Sequence, residues 1–501
     1  MKEKNVFKRI RERIFGKSGQ PKAVEAPEPV NTSPSKTVRK TAPPAATEET
    51  SGSEHFIQIG FDFGTAFSKC VYRDILLDKA WVHLPPSTKE SEMPFLLPSV
   101  LHHHNGTLSH PESAGGAYEA GGLYHVKMAL EKVGKDDWDA PELIAYQKVA
   151  TKLGIELSEF VETCAVYFIA GALGGVLKEL KTRFKGVSTN GQIFVNMAVP
   201  VADIDHPKVS VAFDRALRRA WVLSKELAGF PKTNVAELME MIRKASSKAN
   251  GSKVREACFL YPEVSANVQA FVRSRVSREG MYLFSDTGAG TVDQSVFLFS
   301  RAGNKERLTY LAARVLPLGS SRIELRAADR SGKSNWQELE KWREAKESGR
   351  TNSILTAVRD ELKKELSADS NATVGQAKLK LISPQQINEL KVIFGGGGHC
   401  RVPYRDAVME QFGNGFFDSQ KIENRRRVSD PFDVGMPAPK DLELPNGSTR
   451  WLDRLTVAYG LSFEQGQLAD FTLPKQVRHP TAEEIWKPRR VHAGAASKDD
   501  C

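Results

Sequence analysis

Cysteine is scarce in this chain. There are five in 501 residues: Cys70, Cys164, Cys258, Cys400 and Cys501. The number is odd, they are widely scattered and no CxxC pair occurs. This excludes a disulfide framework or a structural zinc site and fits a reducing, cytoplasmic compartment. Also missing is an apolar run behind the basic start, so no signal peptide is expected. The longest apolar stretch, Val161 to Leu177, carries Glu162 and is short for a membrane span; it reads as a buried core helix. Charge of one sign is only mildly in excess. A net +10 over 501 residues does not by itself point to nucleic acid. Two phosphate-binding signatures are absent as well. No GxxxxGK[ST] occurs, which excludes a Walker loop, and no GxGxxG follows a first strand.

What is present divides by composition. Residues 1–19 place Phe7, Ile10 and Ile14 on one helical face, with Lys8, Arg9, Arg11 and Arg13 crowding the rest. The pattern predicts a short basic amphipathic helix that docks on a protein partner or an anionic membrane surface. Residues 20–53 are rich in Pro, Ala, Thr, Ser and Glu and predict a disordered linker. From Phe56 onward the composition is that of a folded body, with 40% hydrophobic and 26% charged residues over the whole chain.

Two segments of the body resemble each other. FIQIGFDFGTAFSKCVYRD and MYLFSDTGAGTVDQSVFLFS each read as an apolar strand, an Asp, a glycine-containing turn with Thr, and a second strand. Their separation suggests two related lobes. Glycines let backbone N–H groups approach a ligand, and Thr65 and Thr291 add hydroxyl donors. Asp62 and Asp286 stand at the strand ends, where a carboxylate can hold Mg²⁺ through water. A third element, KVIFGGGGHCRVP, is a strand running into four glycines. Close passage of a ligand is the reason this reading assigns to that run.

Taken together, these motifs resemble the ATPase domain of the DnaK-type heat-shock chaperones, within the actin superfamily. DFGTAFS is similar to the family's first phosphate loop, NMAVPVADI to its strand-and-proline segment and YPEVSANVQAF to its Glu-containing connecting helix. DTGAGTVDQSVF is similar to its second phosphate loop, FGGGGHCRVP to its adenosine motif and TVAYGLS to its closing helix. LPSV at 97–100 and HVKMAL at 125–130 fit its first inserted subdomain. The motifs keep the family's order over residues 56–465. The implied fold is α/β, an actin-like two-lobed ATPase of duplicated ribonuclease-H-like subdomains with inserted subdomains. Its lobes would span 54–225 and 226–465, and a polar basic tail 466–501.

The resemblance also implies roles. Asp62 and Asp286 would hold hydrated Mg²⁺. Gly64, Thr65, Ala66, Gly288, Ala289, Gly290 and Thr291 would cradle the phosphates of ATP. Lys127 would sit near the γ-phosphate, and Glu263 and Asp293 would orient or deprotonate the attacking water. Gly395, Gly396, Gly397 and Gly398 with Arg401 would pass the adenosine, and Pro200 would report nucleotide state. The chain departs from the family at several points. Lys69 stands where the chaperones have an uncharged residue and actin relatives a phosphate-binding lysine. Ala289 replaces a glycine, two extra residues precede Arg401, and Glu347 stands where a basic residue is usual. Adenine as the base is therefore less firmly implied than phosphate.

No peptide-binding domain of the chaperone kind fits in the residues after Phe463. A long insertion at 404–450 offers a second partner surface besides residues 1–19. The expected function is a slow Mg-dependent ATPase acting as a nucleotide-driven switch on a protein partner, at the cytoplasmic side of a membrane if the helix anchors it. The alternatives are a polymerising actin-like scaffold and a nucleotide-binding pseudoenzyme. A small-molecule kinase ranks last, because the Glu263 region points to water as acceptor.

Overall fold

The computed structural model describes residues 55–484, apart from short gaps of which 112–117, 200–205, 384–389 and 415–434 are the longest. The expected helix at 1–19, the linker 20–53, Pro200 and the end of the tail lie outside the described residues. The chain is mixed α/β.

Strand β1 (Ile57–Asp62) is buried along its whole length, as befits the centre of a sheet covered on both faces. β2 (Phe67–Asp74) and β3 (Lys79–Val82) follow it antiparallel. β4 (Ile193–Val199) and β5 (Cys258–Pro262) add on the other side, parallel. The order is β5-β4-β1-β2-β3, with a short strand Leu442–Glu443 extending the β3 edge. A second sheet repeats the plan. β6 (Gly280–Thr287), β7 (Val292–Ala302) and β8 (Lys305–Leu316) are antiparallel neighbours, and β9 (Lys391–Gly395) lies parallel to β6.

Helices α1 (Val126–Gly134), α2 (Leu157–Arg183) and α3 (Pro207–Leu223) pack on the first sheet in one large core. Helix α2 holds the apolar stretch read as core, and it is 27 residues long and apolar enough to cross a membrane by length and composition. Its most apolar window is 89% buried inside the protein, so packing accounts for its composition. Helices α5 (Arg322–Arg330), α6 (Trp336–Glu347) and α7 (Ser353–Lys378) cover the second sheet. Between the sheets runs α4 (Glu263–Asn267), whose Ala266 packs with the first sheet and whose Val264 packs with the second.

Helix α8 (Thr456–Leu461) lies against both α4 and β1. Two glycines make this approach possible. A Cβ on Gly460 would stand 1.8 Å from the Ala266 carbonyl oxygen, and one on Gly60 would stand 2.1 Å from that of Ala458. The buried Asn196 amide ties the far end of α8 to β4, donating to Leu461 O at 2.9 Å and Phe463 O at 3.0 Å.

Three expectations need correction. The stretch after the first hairpin carries helical patterns to about Phe184, but it is not helical from its start. Strands Val100–His104, Thr107–Ser109 and Gly122–Tyr124 precede α1 and form a separate four-stranded sheet with Thr233–Asn234. The overlooked signal is Asn105-Gly106, both at positive φ (47° and 75°), the residues a two-residue hairpin turn demands. The first sheet also continues past residue 225, because β5 at 258–262 pairs with β4; a parallel strand needs a long crossover before it can join. The polar basic tail is not separate from the body at its start, since Asp470–Thr472 pairs parallel with β8.

Gly460→Val should therefore lower stability by about 3 kcal/mol through overpacking. Gly375→Ala, in open space on α7, should raise it by up to about 1 kcal/mol. Urea unfolding of the two variants beside the parent measures both.

Candidate functional site

The two long hairpins end at one place. In the first, Asp62 is directly opposite Lys69 across β1 and β2. In the second, Asp286 is directly opposite Asp293 across β6 and β7. Opposed residues in an antiparallel pair share a face, so each turn presents two charged side chains at its base. A cavity of about 390 Å³ opens between the turns. The first turn lines it with Asp62, Gly64, Thr65, Ala66 and Lys69, and the second with Asp286, Gly288, Ala289, Thr291 and Asp293. Lys127 from α1, Glu263 from the first position of α4, and Gly396, Gly398 and Arg401 complete the expected set in its wall.

Gly290, Gly395 and Gly397 sit behind that wall, and their reasons are internal to the protein. Gly290 is where the two turns touch: a Cβ there would stand 2.5 Å from Met128 Sδ and 3.0 Å from Thr65 Cγ2. In the glycine run, Gly396 has φ 77° and a Cβ on it would stand 2.0 Å from Asp286 Oδ1. The run thus packs on the second turn itself, which answers much of the question that ligand passage alone was asked to answer.

The second turn is held from behind. The amides of Gly319, Ser320 and Ser321 donate to the carbonyls of Gly290 (3.1 Å), Gly288 (2.9 Å) and Ala289 (2.8 Å). In a planar trans peptide the N–H points opposite to the C=O. The N–H groups of Ala289, Gly290 and Thr291 therefore point away from this clamp, on the side where Ala289 and Thr291 line the cavity. Consecutive amides presented in this way form an anion-binding concavity. Nothing in the sequence near 319–321 signals this role.

The charges do not balance evenly. Lys69 Nζ lies 2.6 Å from Asp62 Oδ2, and Lys127 Nζ lies 2.8 Å from Glu263 Oε2. Burial works against a charged Lys127, but Glu263 and then Asp62 outweigh it and hold the ammonium above its ordinary range. The facing pair has no such cation. Burial first, then Glu263, pushes Asp286 up to about 7, with Lys69 pulling partly the other way. Burial, Glu263 and Asp286 push Asp293 well above the usual carboxylate range. Its Oδ1 is buried without a hydrogen-bond partner. Asp286 is oriented by Asn267, whose amide donates to Asp286 Oδ2 and whose carbonyl accepts from the Thr456 hydroxyl.

The cavity also holds residues that the sequence pattern does not single out, among them His125 and Arg454. His125 lines the cavity in a left-handed conformation, φ 58°, just before α1, a backbone strain typical of functional sites. Burial lowers its pKa to about 4, against the pull of Glu142, so it is neutral at pH 7. On the other side, Arg401 pairs with Glu347, and Lys346 Nζ lies 2.8 Å from Glu324 Oε2. Arg454 also lines the wall. Two further contacts join segments from the two sides of the cavity. Arg322 meets Glu142 at 3.4 Å, and the Tyr118 amide donates to Glu340 at 2.8 Å.

No protein-family model matches this sequence, and no curated protein matches it either.

The sign of the pH dependence follows from Asp286. Its folded-state pKa lies above the unfolded value, so its contribution to stability is complete below about pH 4 and is lost as pH rises through about 7. Without divalent ions, unfolding free energy should fall by up to about 1 kcal/mol per pH unit between pH 5 and 7. Asp286→Asn should flatten that slope and leave the variant more stable than the parent at pH 8. Equal slopes in urea unfolding would remove Asp286 as the cause.

Proposed function

We propose that the protein is an actin-like, two-lobed ATPase of the DnaK-type chaperone class, which binds Mg-ATP between its sheets and hydrolyses it slowly. The observation that carries this reading is the pair of related hairpins, at corresponding places in two sheets that share part of their strand order, facing one cavity that Lys127 and Glu263 also line. The repeated sheet plan supports the duplicated ribonuclease-H-like lobes implied by the resemblance. The resemblance also supplies the choice of ATP.

In this reading the amides of Ala289, Gly290 and Thr291, with Thr65 and Lys69, hold the phosphates. Lys127 faces the terminal phosphate. Phosphoryl transfer to water asks a protein mainly to position charge and the nucleophile. Glu263 and Asp293 are the groups placed to orient that water and accept its proton. The raised proton affinity of Asp293 suits a base.

The donor set fits a hydrated divalent cation better than a directly ligated one. Among the described residues no group of three His, Cys, Asp or Glu converges to hold a metal unaided. Asp62, Asp286 and the unsatisfied Asp293 Oδ1 would instead hold Mg²⁺ through its water. There it would supply positive charge to the phosphates as they separate.

The partner is proposed to dock on residues 1–19 or on the insertion at 404–450. One end of that insertion is built into the body: Asp441 accepts from the buried Arg73 and Leu442–Glu443 joins the first sheet. This favours the N-terminal segment as the docking element.

Glu263→Gln should leave Mg-ATP affinity within a few-fold of the parent and cut phosphate release by a factor on the order of 10². Amide exchange should show ATP protecting both hairpins, Ile57–Val71 and Tyr282–Phe297, more than ADP does. Absence of ATP binding by calorimetry would end the nucleotide reading. Binding with no phosphate release from the parent would favour a pseudoenzyme.

A further inference from the structure

The turn between β2 and β3 is apolar where turns are ordinarily polar. It reads Ile75-Leu76-Leu77-Asp78, and Leu76 and Leu77 are each 59% exposed. The turn does not need them to form, because the aspartates on either side supply its geometry. Asp74 Oδ1 accepts from the amides of Leu76 (3.0 Å) and Leu77 (3.4 Å). Asp78 takes the positive φ, 47°, that ends the turn. Behind it the buried Arg73 donates to Asp78 at 2.8 Å and also holds Asp441. The tip is thus fixed from inside the protein, and two adjacent leucines stay in water.

Apolar surface left in water costs free energy in proportion to its area, so a turn that displays it gains from whatever covers it. Three observations point to the cover. The first is where the chain enters the body. His55 is the first described residue. Its imidazole lies 2.6 Å from Asp74 Oδ2, and the Phe56 carbonyl accepts from the Ile75 amide at 2.8 Å. Residues 1–54 are therefore joined to the body beside this tip. Within them Phe7, Ile10 and Ile14 recur at helical spacing among Lys8, Arg9, Arg11 and Arg13, the pattern of a segment that lies in the interface of an anionic bilayer.

The second observation is the local charge. The carboxylates beside the tip are each met by a cation: Asp78 and Asp441 by Arg73, and Glu443 by Lys79. Helix α2 ends at the same place, with the Phe184 ring 4.8 Å from that of His55, and adds the exposed Lys181 and Arg183. The third is shape. A stable protein interface covers about 800 Å² of each partner and anchors on packed aromatic or arginine side chains. A four-residue turn with two aliphatic side chains offers neither, whereas acyl chains close around a protruding tip without a matched surface.

We propose that the Leu76–Leu77 tip is a membrane-attachment element, inserting among the acyl chains of an anionic bilayer while residues 1–19 bind the same leaflet. One weak apolar contact holds a bilayer only marginally, and stable attachment takes two signals. Joining the two in one chain raises the effective concentration of the second once the first is bound. This extends the docking role proposed for residues 1–19 and is independent of the nucleotide reading.

The full-length parent and its variants are floated with vesicles of phosphatidylcholine alone or of phosphatidylcholine with phosphatidylserine. The parent should float with the phosphatidylserine vesicles. Leu76→Ser combined with Leu77→Ser should lower its partitioning about tenfold and leave the melting temperature unchanged. Arg9→Glu combined with Arg11→Glu and Arg13→Glu should lower partitioning as well. Leu77→Trp should partition like the parent and gain, over the parent's own emission, a blue-shifted component that brominated acyl chains quench. A leucine variant that partitions like the parent would overturn the inference and leave attachment to residues 1–19 alone. Leu77→Trp emission that vesicles do not alter would overturn it too. So would a parent that floats with neither vesicle, and loss of self-association by the leucine variant in sedimentation would then make the tip a contact between copies of the chain.

Discussion

Four carboxylates meet two ammonium groups in the space between the sheets, and most of the architecture serves to keep them there. Asp62, Asp286 and Asp293 are buried, and Lys127 is buried with them. Charges in such a place are stable only when paired and held in good geometry. The pairing is partial. Lys69 and Lys127 answer Asp62 and Glu263, and the Asp286–Asp293 pair is left to raise its own proton affinity. The elements around it are correspondingly stiff. Asn267 and Thr456 fix Asp286 from α4 and α8, and α8 is seated by Gly60 and Gly460 where no other residue fits. The amides at 319–321 fix the second turn. A pocket that merely happened to form would not need support from three separate parts of the chain.

The repeated strand–turn–strand plan shows how such an imbalance arises. Both hairpins carry a charged residue seven positions after the strand-end aspartate, directly opposite it in the ladder. In the first hairpin that residue is Lys69 and in the second it is Asp293. One backbone plan thus delivers a neutral pair on one side of the cavity and a doubly acidic pair on the other. This asymmetry favours a ligand that brings both signs of charge: an anion for the lysines and the amide concavity, and a cation for the acids. A simple anion would meet the aspartates, and a simple cation would meet the lysines.

Legibility in the sequence followed the range of the interaction. The hairpins could be read because strand, turn and strand are contiguous, and the core role of Val161–Leu177 because burial leaves a compositional mark. Glu263 and Lys127 could be placed only through the resemblance, since 136 residues separate the two partners of their ion pair. The amides of 319–321, Asn267 and Arg454 were invisible, because a backbone donor or a single Asn or Arg leaves no local pattern. The glycine run is conspicuous in the sequence, and its members differ in what they do. Gly395 and Gly397 serve packing against β6 and Arg454, and a row of glycines does not reveal which of its members faces a ligand. A lobe boundary at 225 leaves β5 out of the sheet it joins, because a parallel strand enters its sheet after a crossover that the sequence does not delimit.

The same electrostatics bears on whether the cavity opens. Burial first, then Glu263 and, partly offset by Lys69, Asp62 raise the proton affinity of Asp286, so enclosing these groups together costs free energy whenever all are ionised. The two contacts that join the sides of the cavity are modest. Arg322–Glu142 is a single ion pair at 3.4 Å, and the Tyr118–Glu340 bond is a single charge-assisted hydrogen bond of about 1.5–3 kcal/mol. A ligand that neutralises the carboxylates then acts on the balance directly. It removes the cost of closure and adds its own contacts to both turns, and its leverage equals the difference in its affinity for the two arrangements. On the proposed reading, Mg-ATP has that difference because the cation answers the acids while the phosphates span from Thr65 to Thr291. The coupling of ligand to conformation would then reside in the buried carboxylates themselves, with those two contacts only setting the threshold.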